Sequence, residues 1–209
     1  MVAGDERVAV SSDDALHIGA DGRRRCWWCQ GHADYTDYHD VEWGRAVTDD
    51  RRLFEKLCLE GFQAGLSWLT ILRRRTALRA RFFNFDIDRL AALDGAPRDR
   101  FVAEALGDAD IIRHRGKIEA VLDNARVAQS LIAAHGSFAS VIADFTPTDH
   151  VRPRTRADIP VTTPSSVALA RDLRRAGWRF LGPTSAYAFL QSVGAVNDHI
   201  VGCETCPDA

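Results

Sequence analysis

A chain of 209 residues, 46% hydrophobic and 27% charged, has the length and composition of one soluble globular domain. No stretch approaches the roughly 18 uninterrupted apolar residues that a membrane span needs. The N-terminus MVAGDERVAVSSDD lacks a basic region followed by an apolar one, so no secretory signal is expected and the chain reads as cytoplasmic.

The net charge of −2 excludes a uniformly basic nucleic-acid binder, but the charge is unevenly placed. Residues 1–60 carry 8 basic and 13 acidic side chains, residues 61–126 carry 12 and 9, and residues 150–182 carry 7 and 2. Of the 27 basic residues 25 are Arg, the better bidentate partner for phosphate, although a GC-rich genome leaves the same bias. Lys56 and Lys117 are the two lysines.

Along the chain, residues 1–22 are polar and small and read as a flexible extension, with one domain over 23–209. Asp49 or Asp50 can cap a helix whose apolar positions Leu53, Phe54, Leu57 and Cys58 follow helical spacing. Gly61 and Gly65 are expected to interrupt it before an apolar stretch resumes at Leu66, Leu69, Ile71 and Leu72. Further helices are predicted over about 98–106, 117–134 and 164–176, with a Pro-bearing loop over 146–164. The last unit reads as helix, Gly-containing turn over 177–184, and helix from Ser185 to Val193. Alternating strand patterns are scarce and no repeat appears, so the expected fold is all-α.

Five cysteines in a cytosolic chain make a disulfide framework improbable. Cys26–Cys29 and Cys203–Cys206 form two CxxC pairs, one near each end, accompanied by His39 and His199. Two ligand sets for a tetrahedral zinc are chemically reasonable: Cys26, Cys29, Cys203 and Cys206, or Cys26, His39, His199 and Cys203. His199 and Cys203 are spaced to share one side of a helical turn. Either site would clamp the chain ends together, which favours a structural metal. Cys58, in an apolar stretch, reads as core.

Four segments stand in order between residues 38 and 203, within a match over about 23–207: Tyr38 to Gly44 (YHDVEWG), Leu59 to Trp68 (LEGFQAGLSW), Ile111 to Ile118 (IIRHRGKI) and Val196 to Cys203 (VNDHIVGC). Together they resemble the DNA-3-methyladenine glycosylase I family of the helix-hairpin-helix glycosylase superfamily. The resemblance implies an all-α helix-hairpin-helix glycosylase fold with one structural zinc held by Cys26, His39, His199 and Cys203. It implies base excision repair: hydrolysis of the N-glycosidic bond of 3-methyladenine in double-stranded DNA by a monomer, with no membrane partner and no nucleotide cofactor.

The resemblance also assigns roles. Trp28, Tyr38 and Trp68 match the aromatic pocket, where the face of an aromatic ring attracts a cationic purine. Taken singly, such aromatics would read as core. Glu60 is the residue that would read the base. A carboxylate accepts from the exocyclic amine of adenine, repels the carbonyl of guanine and favours a positive ring. DNA contacts fall to Gly65 and Leu66 as the wedge that fills the vacated space, to Lys117, and to Gly182 and Thr184 in a hairpin whose amides can hold a phosphate. Many superfamily relatives place an Asp where this chain has Asn197, so no lyase step is expected. Asp198 is expected to orient His199 or to cap a helix. Two other classes fit parts of the pattern. A zinc-stapled nucleic-acid-binding module would need the Arg surface but not Glu60. A metal-dependent nuclease would need an open coordination position and acidic ligands.

Overall fold

The computed structural model describes residues 15–206, which are mostly helical. Strand β1 (Leu16–Ile18) pairs antiparallel with β2 (Arg24–Cys26), with Leu16 opposite Cys26. The expected extension over 1–22 is therefore too long at its C-terminal side. Ala15 is buried, residues 16–18 are paired, and residues 1–14 lie outside the described residues. A 3-10 turn at Trp27–Cys29 follows, then helices α1 (Ala33–Val41), α2 (Asp50–Gln63) and α3 (Trp68–Arg81). The remaining helices are α4 (Ile87–Ala91), α5 (Gly95–Gly107), α6 (Arg115–His135), α7 (Phe138–Ala143), α8 (Pro164–Arg175) and α9 (Pro183–Ser192).

Local chemistry sets most of these boundaries. Asp49 caps α2 by accepting from Arg52 N at 2.8 Å, Ser67 caps α3, and Thr163 with Ser166 closes a capping box before Pro164 at the first position of α8. Gly61 does not interrupt α2: it is buried inside the helix, which ends at Gln63.

Helix α2 is the central element, buried continuously from Leu53 to Phe62 and packed against α3, α6, α7 and α9. That position explains why Glu55, Lys56 and Glu60 are buried along with its apolar residues. Around it, Phe54, Phe138 and Trp178 pack, with the rings of Phe138 and Trp178 stacked 5.7 Å apart. Cys58 lies in this core, as its apolar neighbours suggest, and burial pushes its thiol well above the usual range. Helices α8 and α9 pack against each other across the connection 176–182. No helix among the described residues is long and apolar enough to cross a membrane.

Candidate active site and metal centre

Segments near the two ends of the described residues meet at the candidate metal-ligand residues. Glu204 N donates to Arg24 O at 2.9 Å, laying the C-terminal segment along β2. Ile200 N donates to Cys26 Sγ at 3.4 Å. One ligand atom each from Cys26, His39 and Cys203 lies within 4.8 Å of the others, all three residues are buried, and the group could hold a metal ion. Cys29 and Cys206 stand near this group, Cys29 close enough to His39 to help raise its imidazole, but neither belongs to the set of mutually close ligand atoms. Cys29 Sγ lies 3.4 Å from His17 Nε2 and donates to Cys26 O, while Cys206 Sγ lies 3.6 Å from Asn197 Oδ1.

His199 lies next to this group with a free donor atom. Its Nε2 is buried without a hydrogen-bond partner, its ring centroid is 5.0 Å from that of His39, and Nδ1 lies 3.1 Å from Asn197 Oδ1. Burial, together with the charge on His39, holds its imidazole down at about 4 and hence neutral, with a lone pair to donate. Residues 199–203 form a non-helical turn, so the expected helical spacing is not what joins His199 to Cys203. Asn197 takes the role expected of Asp198. Asp198 is buried against the Tyr187 hydroxyl and Gln191, with His150 at 3.3 Å, beside a separate cavity of about 460 Å3.

The outer layer of this centre had no signal in the sequence reading. Arg25, 4% exposed, grips Asp40 at 2.8 Å and Asp21 at 2.6 Å, and Asp40 Oδ1 in turn meets His39 Nδ1 at 2.9 Å. Gly44, at φ +73°, leaves no room for a side chain, since a Cβ there would stand 2.6 Å from His199 Cε1. Gly44→Ala is expected to displace the His199 ring and destabilise the fold by roughly 2–4 kcal/mol, from positive-φ strain plus overpacking. Urea unfolding measures this, and a variant as stable as the parent would show that the ring has room to move.

The aromatic residues lie between this centre and Glu60. Trp28 packs edge-on against His39 (5.2 Å) and Trp43 (5.0 Å) and approaches Tyr38 (6.3 Å). Tyr38 lies 5.3 Å from Trp68, whose buried Nε1 has no hydrogen-bond partner. Trp43 is tilted against the His199 ring at 4.5 Å. Glu60 and Tyr38 are electrostatically coupled: burial and the Glu60 charge push the Tyr38 hydroxyl well above the phenol range.

Glu60 is 4% exposed and borders a cavity of about 230 Å3 lined also by Gln63, Ala64, Gly65, Leu66, Thr184, Ser185 and Ala188. Burial pushes its carboxyl up to about 8, against the opposing pull of Lys56 one turn earlier. Lys56 is itself engaged by Glu42 at 2.8 Å, and Arg75 reaches the same carboxylate at 2.6 Å. Burial raises Glu42, but Lys56 and Arg75 outweigh it and hold the group at about 2. Glu42 is thus a fixed anion, whereas Glu60 is a carboxyl whose charge has no committed partner.

Leu66 (41% exposed), Gly65 and Thr184 sit at the rim of this cavity, and Gly182 opens α9 as its N-cap residue ahead of Pro183. Gly65 carries φ +80° in the turn that ends α2. Lys117 departs from the expected set of DNA contacts: it is 7% exposed and its ammonium donates to Phe62 O at 2.8 Å and Ala64 O at 2.5 Å. It faces the protein because an α2 end with bare carbonyls lies directly beneath it.

Comparison with known proteins follows the same lines. The methyladenine glycosylase family model matches residues 28–206. The chain is 42% identical over 183 residues to DNA-3-methyladenine glycosylase 1 of Escherichia coli (strain K12), covering 86% of this chain and 95% of the relative. It is 38% identical over 182 residues to the DNA-3-methyladenine glycosylase of Haemophilus influenzae, covering 86% and 96%. Among solved structures, a crystal structure of 3-methyladenine DNA glycosylase I superposes with a TM-score of 0.82 at 43% identity, covering 88% of this chain and all of that one. The Staphylococcus aureus 3-methyladenine DNA glycosylase I, solved for the structural basis of 3-methyladenine recognition, gives a TM-score of 0.82 at 27% identity, covering 93% and 99%.

Proposed function

The chain belongs to the methyladenine glycosylase family, and on that premise we propose how its own residues excise 3-methyladenine from double-stranded DNA in base excision repair. The observation that carries the reading is Glu60, a buried carboxyl without a committed cation at the wall of a cavity, close enough to Tyr38 for its charge to act on that hydroxyl. A cationic purine turned out of the duplex supplies the missing countercharge. Glu60 then ionises and accepts from the exocyclic amine, while Trp28, Tyr38 and Trp68 offer aromatic faces to the ring.

Methylation at N3 already weakens the glycosidic bond. The C1′–N9 electron pair leaves with the base, which departs neutral. Water adds to the sugar cation and releases its proton to solvent. The leaving group needs no protonation, so holding the extruded cation and excluding intact bases decides which base is cleaved, and the Glu60 charge speeds the step only as far as it also offsets the positive charge passing to the sugar. The reaction is monofunctional. A lyase step needs an amine that can attack C1′, and both lysine side chains are buried and engaged, Lys56 by Glu42 and Lys117 by carbonyls. Asp198 is likewise bound to Tyr187 and Gln191.

On the DNA side, the α8–α9 unit acts as a helix-hairpin-helix, with the amides following Gly182 and the Thr184 hydroxyl facing a phosphate, and Leu66 filling the vacated stack. Cys26, His39, His199 and Cys203 would hold a structural zinc. Four protein ligands make a closed site whose contribution is to fold stability. The enzyme works as a monomer.

The test is base release from methylated duplex, with freed purines separated by chromatography. Release of 3-methyladenine without 7-methylguanine and without strand nicking is expected. A folded, metal-loaded protein that releases nothing would point instead to a nucleic-acid-binding module.

A further inference from the structure

Lys117 sits in the first turn of α6, where its charge opposes the helix dipole instead of complementing it. It is also buried, a costly place for an ammonium. Both costs are offset at the end of α2, whose last turn contains no basic residue of its own. There the ammonium bridges Phe62 O and Ala64 O, acting from a distant helix as the cation that a C-terminal turn favours.

These carbonyls belong to the connection that bears the cavity rim. From Gln63 the chain turns through Leu66 N donating to Gln63 O at 2.7 Å, with Gly65 at positive φ, and presents the exposed Leu66 side chain. Gly65 widens the conformations open to this connection, so an external tie is needed to leave one of them. The same end of α6 also touches the connection that leads into Thr184 at the cavity rim. Its N-cap residue His114 packs edge-on against Phe180, in the α8–α9 connection, at 5.9 Å.

We propose that Lys117 is a positioning residue for base extrusion: by bridging Phe62 O and Ala64 O it presets the Ala64–Leu66 connection, so that Leu66 enters the duplex in one orientation beside Glu60. This rests on the reading that the Glu60 cavity takes the base and Leu66 fills its place. Ordering the connection before DNA arrives removes that cost from the extruded complex alone. Binding of intact duplex, which needs no wedge, does not depend on it.

The experiment is a double-mutant cycle of Lys117→Met and Leu66→Ala. It is read by affinity for a duplex with a central tetrahydrofuran abasic analogue, by affinity for the intact duplex, and by single-turnover release of 3-methyladenine. Lys117→Met is expected to weaken abasic-analogue binding and slow release about tenfold, the size of a lost charged hydrogen bond. Intact-duplex binding should stay within about twofold, and the same substitution should cost less than about twofold in the Leu66→Ala background. Three results would overturn the proposal: an undiminished loss in the Leu66→Ala background, equal weakening on both duplexes, or no loss at all. If Lys117→Met does not fold, Lys117→Arg goes through the same cycle. It keeps the charge but misplaces the donors, and a loss that is absent or not suppressed by Leu66→Ala overturns the proposal equally. Binding to the abasic analogue requires no excision, so failure of the glycosylase reading shows separately, as wild-type protein that releases no base.

Discussion

Glu60→Gln is expected to slow 3-methyladenine release about a hundredfold or more at pH 8, the usual consequence of removing one preorganised charge partner from a transition state. Glutamine keeps the size of the side chain and one acceptor oxygen, so the loss isolates the negative charge. Because burial holds Glu60 at about 8 in the free protein, kcat/KM of the parent enzyme should rise with pH towards that value and then level off. In kcat the same limb should move to lower pH, since the bound cation favours ionisation. The Gln variant should show neither limb. An unchanged excision rate in Glu60→Gln would remove Glu60 as the reader of the base.

The same group sets a stability signature with a definite sign. Its folded value of about 8 lies above the ordinary 4.5, so between these pH values the folded chain keeps a proton that the unfolded chain has released. Stability should therefore fall as pH rises from about 4.5 to about 8, by on the order of 4 kcal/mol for so buried a group. Below that window both states are protonated and Glu60 contributes no pH dependence. Glu60→Gln should flatten this part of the curve in urea titrations. The wild-type residue thus weakens the free fold at the place where it strengthens binding of a cation.

The second large effect is expected at the metal centre. Cys203→Ser should drop bound zinc well below one per chain and lower Tm by about 10 °C, corresponding to a loss of roughly 3–5 kcal/mol. The helix most exposed to this loss is α1, whose buried residues are Tyr38 and His39 alone. With no apolar stripe of its own, α1 docks on α3 and on the Trp27–Cys29 turn at the metal side, and Tyr38 is adjacent to His39. Release of the metal should therefore also loosen the aromatic wall of the base pocket. Metal analysis of the purified variant decides the ligand assignment: unchanged zinc content would move it to other residues.

How much of this was legible beforehand varies element by element. The strongly periodic helices α2, α5, α6, α8 and α9 fall close to where apolar spacing and caps put them. Helix α1 escaped the same reading because it lacks that spacing, and α4 and α7 because they span only five and six residues. Three-residue strands are too short to alternate visibly, and so the hairpin that absorbs residues 15–22 went unseen.

Motif order pointed to the chemistry through the family resemblance, while residue types alone left two ligand sets open and the aromatics as core. Cysteine and histidine at both ends, a glutamate in an apolar run and aromatics around it are properties of composition and spacing, which a linear chain displays. What the chain could not display is which groups lack partners. That Cys26, His39 and Cys203 bring their ligand atoms together depends on how β2, α1 and the C-terminal turn pack. That Lys117 serves two carbonyls inside the protein depends on α6 beginning beneath the end of α2. That Glu60 holds its proton while Glu42 does not depends on Lys56 and Arg75 being committed to Glu42. Charge states and coordination are set by desolvation and by distances across the fold, and those quantities exist only once the helices are packed.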